Sequence, residues 1–211
     1  MSLHYDVIGV WLRTALDSLR AARNAWKQAK KRILDNQDDV PIELLEIDFQ
    51  RSMIAIISLS ISVDAFYARL TQFNRVSTLK PGNMRQAPRY AQVAEQFRNS
   101  YKIDNKTFQS IRSALRQLYN MRDQAVHPSG KLTNAVLYPE IDRGVESRFE
   151  LFRSKNVNIV AQDCINVILH LTENSSPKND KVKDLGVIVN TEIKAIISIY
   201  SDIFTSKTAA T

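Results

Sequence analysis

The fold is decided around the stretch Ile57-Ser58-Leu59-Ser60-Ile61-Ser62-Val63, which lies in the middle of a long apolar segment. Apolar residues alternate perfectly with serines here, and this alternation alone would predict a β-strand. No turn residues bound the alternation, however, and the flanking segments 43–46 and 64–70 have helical patterns. We therefore predict one helix from Ile42 to about Phe73. It is apolar on nearly every side, as expected for the enclosed central helix of a bundle.

Segments on both sides of this helix repeat apolar residues at three- and four-residue steps, which is typical of amphipathic helices. Pro88 suits the first turn of a helix, and the segment 104–107 supplies capping residues for the next one. The further predicted helices cover about residues 5–34, 88–101, 104–127, 157–171 and 180–205. The pattern predicts an all-α protein with long helices.

One segment, at about 131–156, departs from the helical pattern. Ala135–Tyr138 and Arg148–Phe152 have the composition of short strands around a turn at 142–144, so we expect a small β-hairpin or an irregular excursion. We expect residues 1–211 to form a single domain, because this length is sufficient to bury one core. The excursion and an additional C-terminal helix at 180–205 would be its elaborations.

The chain is strongly basic. Its 29 Lys and Arg against 22 Asp and Glu give a net charge of +7 and a pI near 9.5, which favours an anionic partner such as nucleic acid or an acidic protein. A solvated basic surface without a specific partner is the alternative. The candidate RNA-binding residues lie in the first helix and in the basic connection 75–89. They are Arg20, Arg23, Lys27, Lys30, Arg85 and Arg89.

The single cysteine, Cys164, lies in an apolar stretch, which excludes an intramolecular disulfide and is typical of a buried core residue. No signal-peptide pattern is seen at the N-terminus. The most apolar run, Met53–Val63, is short and interrupted by serines, so we expect no transmembrane span. A cytoplasmic protein is the expectation, and no Cys/His spacing or glycine-rich loop indicates a metal or cofactor.

Arg122 is the first unusual residue in the segment 120–130. The four-three-four step of Ile111, Leu115 and Leu118 continues onto Arg122, so an arginine extends an apolar seam. A guanidinium directed inward needs partners. Asp64, midway along the predicted central helix, is the partner that we expect.

His127 is the second unusual residue, because it lies between Arg122 and Pro128. Residues five apart on a helix are separated by about 140°, but a proline disfavours helical geometry in the residue before it. The helix should therefore end near His127, and its imidazole can turn back towards Arg122. The alternative is that both side chains only satisfy the last carbonyl groups of the helix.

The chemistry of this pair suits cleavage of an RNA phosphodiester by its own 2′-hydroxyl without a metal. Histidine titrates near neutral pH and can take or give a proton, while a guanidinium binds a phosphate and neutralises developing charge. Asp123 could orient His127 or a bound group.

The segment Arg122-Asp123-Gln124-Ala125-Val126-His127 resembles the Arg-polar-x-x-x-His signature of the HEPN superfamily, the higher eukaryotes and prokaryotes nucleotide-binding domain. The helix that carries residues 62–67 is similar to the partner helix of that family. The resemblance covers the helical body, residues 1–130 and the helix from Val157. It does not account for 131–156 or for the final helix.

This resemblance implies an up-and-down helical bundle with long antiparallel helices. It also implies that the bundle forms a homodimer, so that two motifs meet in one cleft. It also implies a metal-independent endoribonuclease of toxin–antitoxin, phage-defence or RNA-processing systems. Arg122 would hold the scissile phosphate, His127 would serve as general acid or base, and Asp123 would be an accessory group. The family also contains non-cleaving modules that bind a nucleic acid or a protein partner, and a purely structural helical adaptor is a third possibility.

Overall fold

The computed structural model describes residues 7–35, 40–73, 87–127, 135–138 and 143–204. These residues form eight helices and two short antiparallel strand pairs, so the predicted all-α fold is confirmed. The elements in chain order are α1 (Val7–Asp35), α2 (Ile42–Phe73), α3 (Arg89–Ser100), β1 (Tyr101–Lys102), α4 (Asn105–Val126), β2 (Ala135–Tyr138), β3 (Arg143–Glu146), α5 (Ser147–Leu151), α6 (Ser154–Glu173), β4 (Ser176–Pro177), α7 (Asp180–Ile199) and α8 (Ser201–Phe204).

Helix α2 is the centre of the fold, because it packs against each of α1, α3, α4, α6 and α7. The residues that alternate in sequence are wound into this helix, and four of its serines are buried. Ser62 Oγ donates a hydrogen bond of 2.8 Å to the carbonyl oxygen of Ile8, which satisfies the buried hydroxyl across the α1–α2 contact. The prediction of one enclosed helix is therefore confirmed, together with both of its ends.

Helix α2 is also long and apolar enough to cross a membrane by length and composition, with a mean hydropathy of 1.6 over 18 residues. Half of that window is buried inside the protein. A core helix of a bundle has the same composition, because it is covered by apolar neighbours on several sides.

Helix α4, which carries the Arg-x-x-x-x-His motif, begins and ends where its sequence indicates. Asp104 caps the first turn by accepting a 3.0 Å hydrogen bond from the backbone N–H of Thr107. The helix ends at Val126, and His127 has non-helical backbone angles, φ −122° and ψ 70°. The expected end of the helix beside Pro128 is confirmed.

The excursion contains a β-hairpin, but its second strand differs from the prediction. β2 pairs with β3 from Ala135 opposite Glu146 to Tyr138 opposite Arg143. The assignment of Arg148–Phe152 to a strand was wrong, because residues 147–151 form the helix α5. The Phe149 ring stacks on Phe49 of α2 at 4.3 Å, a tertiary contact that is absent from local sequence patterns.

The core includes Cys164, as expected, and burial raises the pKa of its thiol well above the usual range.

β1 and β4 form a two-residue antiparallel pair that was not predicted. This pair joins the end of α3 to the start of α7, so it links the C-terminal helix to the motif-bearing half of the bundle.

A buried carboxylate of α2 caps the N-terminus of α6. Asp48 Oδ1 accepts a 3.2 Å hydrogen bond from the backbone N–H of Ser154, and only 3% of Asp48 is exposed. Burial raises the pKa of Asp48 from 3.8 to about 6, although the bonds from Ser154 and the charge of Arg153 act in the opposite direction. The ionised form therefore makes the folded state less stable than the neutral form would.

Replacing Asp48 with asparagine is expected to stabilise the protein at pH 7. The amide oxygen keeps an acceptor for Ser154 N–H, while the buried charge is removed. Because the folded-state pKa is raised, the contribution of Asp48 to the free energy of unfolding falls by about 2–3 kcal/mol as the pH rises from about 4 to about 6. Urea unfolding of both proteins from pH 4 to 7 should show a difference that is small near pH 4 and largest at pH 7. A difference that does not change with pH would contradict this prediction.

Candidate functional site

Arg122 lies near the C-terminal end of α4, four residues before Val126, with 29% of its side chain exposed. Its Nε and Nη2 atoms donate hydrogen bonds of 2.9 and 2.5 Å to Oδ1 of Asp123. Asp123 is more exposed, at 56%, so the ion pair lies at the protein surface. The pair occupies one edge of the guanidinium. Among the described residues none bonds to the Nη1 atom, so that edge can bind a second anion.

His127 is the first residue after α4, and it is exposed. Its backbone N–H donates a 2.8 Å hydrogen bond to the carbonyl oxygen of Asp123. Asp123 therefore binds both motif residues, Arg122 through its carboxylate and His127 through its backbone. The accessory position expected for Asp123 has a defined contact, which is with Arg122 and not with the imidazole.

Asp64 has a different partner from the one that the sequence suggested. Its Oδ1 atom accepts hydrogen bonds from Tyr119 Oη at 2.6 Å and from Arg89 Nε at 2.8 Å. Arg122 contacts Tyr119 and not Asp64: its Cζ atom lies 5.1 Å from the centre of the Tyr119 ring. The prediction of a direct Arg122–Asp64 pair is corrected, because the buried Tyr119 lies between the two.

The electrostatics of this network favour the protonated forms of Tyr119 and Arg89. Burial, and then the charge of Asp64, raises the pKa of Tyr119, so its hydroxyl remains a donor. Burial alone would lower the pKa of Arg89, but the adjacent Asp64 outweighs it and raises that pKa. Arg89 also lies 4.2 Å above the Tyr67 ring, which gives the cation a second favourable contact.

Two of the candidate RNA-binding arginines hold the last helix that the structure describes, α8. Arg20 Nη2 bonds to Asp202 Oδ1 at 2.5 Å and to the carbonyl oxygen of Ile199 at 2.7 Å. Arg23 Nη1 bonds to the carbonyl oxygen of Asp202 at 2.9 Å. These contacts dock α8 on α1, so both guanidinium groups have structural partners that a phosphate would have to displace.

The remaining candidates are in several environments. Lys27 and Lys30 are exposed on α1, as a phosphate-binding ridge requires. Arg85 lies outside the described residues. Arg89 lies where the basic connection 75–89 and the predicted helix 88–101 overlap. It is the first residue of α3, and Asp64 binds it. The structure therefore joins Arg89 to the surroundings of Arg122 and leaves Lys27 and Lys30 on a separate helix.

Tyr119 is the residue that sequence reasoning did not assign to the site. Its ring is buried, with 2% of the residue exposed, as is usual for an aromatic residue on the core-facing side of a helix. The signal in the sequence is its position three residues before Arg122, which places both on one side of a helix. In the part of the chain that the structure describes, no group of three or more His, Cys, Asp or Glu side chains is arranged to hold a metal ion.

Comparisons with protein-family models, with curated proteins and with solved structures gave no match. The resemblance to the HEPN superfamily therefore rests on the six residues from Arg122 to His127 and on the long helix that packs beside them.

Proposed function

We propose that this protein is a metal-independent endoribonuclease of the HEPN type, with Arg122 and His127 as its catalytic residues. The observation that carries this proposal is the end of α4 at Val126, between the two residues. A continued helix would place them about 140° apart. The break leaves His127 exposed directly after the helix. Its backbone N–H bonds to the carbonyl oxygen of Asp123, the residue whose carboxylate binds Arg122.

The residues supply what an attack by the 2′-hydroxyl needs. The 2′-oxygen bonds to phosphorus, the bond to the 5′-oxygen breaks, and the products are a 2′,3′-cyclic phosphate and a free 5′-hydroxyl. One base must take the 2′-hydroxyl proton, and one acid must protonate the departing 5′-oxygen. His127 serves one of these roles, while Arg122 neutralises charge on the phosphate through the edge that Asp123 does not use.

One chain contributes one motif, whereas the reaction uses an acid and a base. A homodimer that brings a second copy of the motif into the same cleft would supply both, as the resemblance implies. The exposed Val126 side chain, 48% accessible beside His127, gives this end of α4 an apolar group for such a contact. A cytoplasmic location and an antitoxin or other protein partner belong to the same proposal.

The products of RNA cleavage test this function directly. Purified wild-type protein is incubated with single-stranded RNA in EDTA, and the ends of the fragments are determined. We expect cleavage in EDTA with 2′,3′-cyclic phosphate and 5′-hydroxyl ends. RNA with 2′-O-methyl groups should stay intact, because it lacks the attacking hydroxyl. Fragments with 3′-hydroxyl and 5′-phosphate ends, or no cleavage of any RNA, would rule out the mechanism.

A second candidate function is a non-catalytic module that binds a nucleic acid or a protein partner. The ion pair between Arg122 and Asp123 favours it, because the carboxylate already neutralises part of the positive charge that phosphate cleavage would need from Arg122. For this function we expect wild-type protein to bind RNA or a partner protein and to leave RNA uncut in the same assay.

A further inference from the structure

A small cleft lies between the start of α3 and the middle of α4. Its volume is about 270 Å³, and its lining residues are Tyr90, Gln109, Arg112, Ser113 and Arg116. None of these side chains is acidic. The volume is below the range of about 300–1,000 Å³ typical of pockets that enclose a small ligand. The cleft therefore suits one part of a longer anionic molecule.

The two arginines of this cleft differ from the others described above. Arg112 and Arg116 are both exposed, and within the described ranges neither has a carboxylate partner. By contrast, Arg20, Arg89 and Arg122 each pair with an aspartate. Like charges four residues apart on a helix repel each other. An anion bound between the two would relieve this repulsion and satisfy their donors.

The aromatic side of the cleft is provided by Tyr90. Its side chain is half-buried and packs against the hydrophobic core, so the ring has a fixed position. The Cζ atom of Arg112 lies 5.9 Å from the ring centre. An aromatic ring among cations is the arrangement by which proteins bind single-stranded nucleic acid. The base stacks on the ring, and the phosphates contact the cations.

The position of the cleft relative to Arg122 follows from the geometry of α4. Asp123 lies within about 20° of both Arg112 and Arg116 around the helix axis. Its carboxylate holds the Arg122 guanidinium, which is thereby drawn towards this same side of α4. Arg116 and Arg122 are about 9 Å apart along the axis, which corresponds to two or three stacked nucleotides.

The start of α3 connects the cleft to the buried network. Arg89 binds Asp64, which also accepts the hydrogen bond of Tyr119 beneath Arg122. Arg89 thus contacts the Asp64–Tyr119 network beneath Arg122, and the next residue, Tyr90, lines the cleft. Because the two residues are consecutive in α3, the distance between the network and the cleft is fixed.

We propose that Tyr90, Arg112 and Arg116 form a nucleotide-binding subsite for single-stranded RNA. The subsite holds a base on Tyr90 and its flanking phosphates on the two arginines, a few nucleotides from the phosphate at Arg122. The assignment of RNA as the ligand rests on the proposed function, but the binding of RNA to the subsite does not depend on catalysis.

Binding of a fluorescent 2′-O-methyl RNA 12-mer tests the subsite, because this probe cannot be cut by 2′-hydroxyl attack. The double variant Arg112→Gln/Arg116→Gln should lower the slope of log K against log salt by about 1.4, and the affinity by about 25-fold at 0.1 M salt. The matched control Lys181→Gln/Lys183→Gln removes the same charge from exposed positions of α7 and should leave the slope nearly unchanged. Tyr90→Leu should weaken binding by about 5- to 100-fold, whereas Tyr90→Phe should not.

The outcomes separate this subsite from the proposed function. If wild-type protein cuts RNA but the arginine variant and its lysine control lose affinity equally, the subsite is wrong and the function stands. If the 12-mer binds with the expected dependence on Tyr90 and the arginines while RNA is never cut, the subsite stands and the nuclease function fails. Absence of binding to the 12-mer by the wild type overturns the subsite.

Discussion

Replacing His127 with alanine is expected to lower the rate of RNA cleavage by about 10²- to 10⁴-fold, the usual contribution of a general acid or base. The fold should be unaffected, because the side chain is exposed and the hydrogen bond that ends α4 comes from the backbone N–H. Single-turnover cleavage rates, circular dichroism and the oligomeric state of both proteins are the measurements. The affinity for uncleavable RNA should change little, since Arg122 retains its position.

The matched control is His170→Ala. His170 is the other histidine in the described ranges, and it lines a groove of about 680 Å³ between α4 and α6 that does not include Arg122 or His127. This variant should cut RNA at the wild-type rate. Equal rates for all three proteins would exclude His127 as a catalytic residue, and equal losses would indicate a general effect on the fold.

The helical body was predictable because its signals are local. Apolar spacing gave the bounds of α2, and Asp104 and Pro128 marked the two ends of α4. The hairpin was predicted only in part. Its first strand is correct, but Phe149 lies in a helical turn that stacks on Phe49 of α2. A contact across 100 residues of sequence decided that turn, and no local pattern contains it.

The candidate site was predictable in position and not in its contacts. The spacing of Arg122 and His127 is visible in the sequence, and so is the helix end between them. The pairing of Asp64 with Arg89 is not visible in the sequence, because Arg89 reaches Asp64 only through the packing of α3 on α2. Likewise, Arg20 and Arg23 are basic residues in sequence, but contacts with a segment about 180 residues away make them structural.

Asp64 links the stability of the bundle to the geometry of the site. It lies on the central helix, and it accepts the hydrogen bond of Tyr119, whose ring stacks under Arg122. A change at Asp64 should therefore affect both the free energy of unfolding and the orientation of the guanidinium. The exposed Asp123 contributes little to stability, because surface ion pairs are worth about 0–1 kcal/mol.

Replacing Asp64 with alanine is expected to lower the free energy of unfolding by about 2–4 kcal/mol. The change leaves the buried Tyr119 hydroxyl without an acceptor and the half-buried Arg89 without its carboxylate. Breaking a fully buried pair costs about 3–5 kcal/mol, and the partial exposure of this one reduces the loss. Urea unfolding measures it, with Asp184→Ala on the exposed face of α7 as the control, which should cost less than about 0.5 kcal/mol.

A double-mutant cycle with Tyr119→Phe distinguishes the network from a simple loss of charge. Once the hydroxyl is removed, Asp64→Ala no longer leaves a buried donor unpaired, so its cost should fall by about 1 kcal/mol or more. Additive effects would mean that Tyr119 and Asp64 act independently, and the proposed support of Arg122 would then be wrong. If the coupling is present, Asp64→Asn should retain most of it, because the amide oxygen still accepts the tyrosine hydrogen bond while the ion pair with Arg89 is lost.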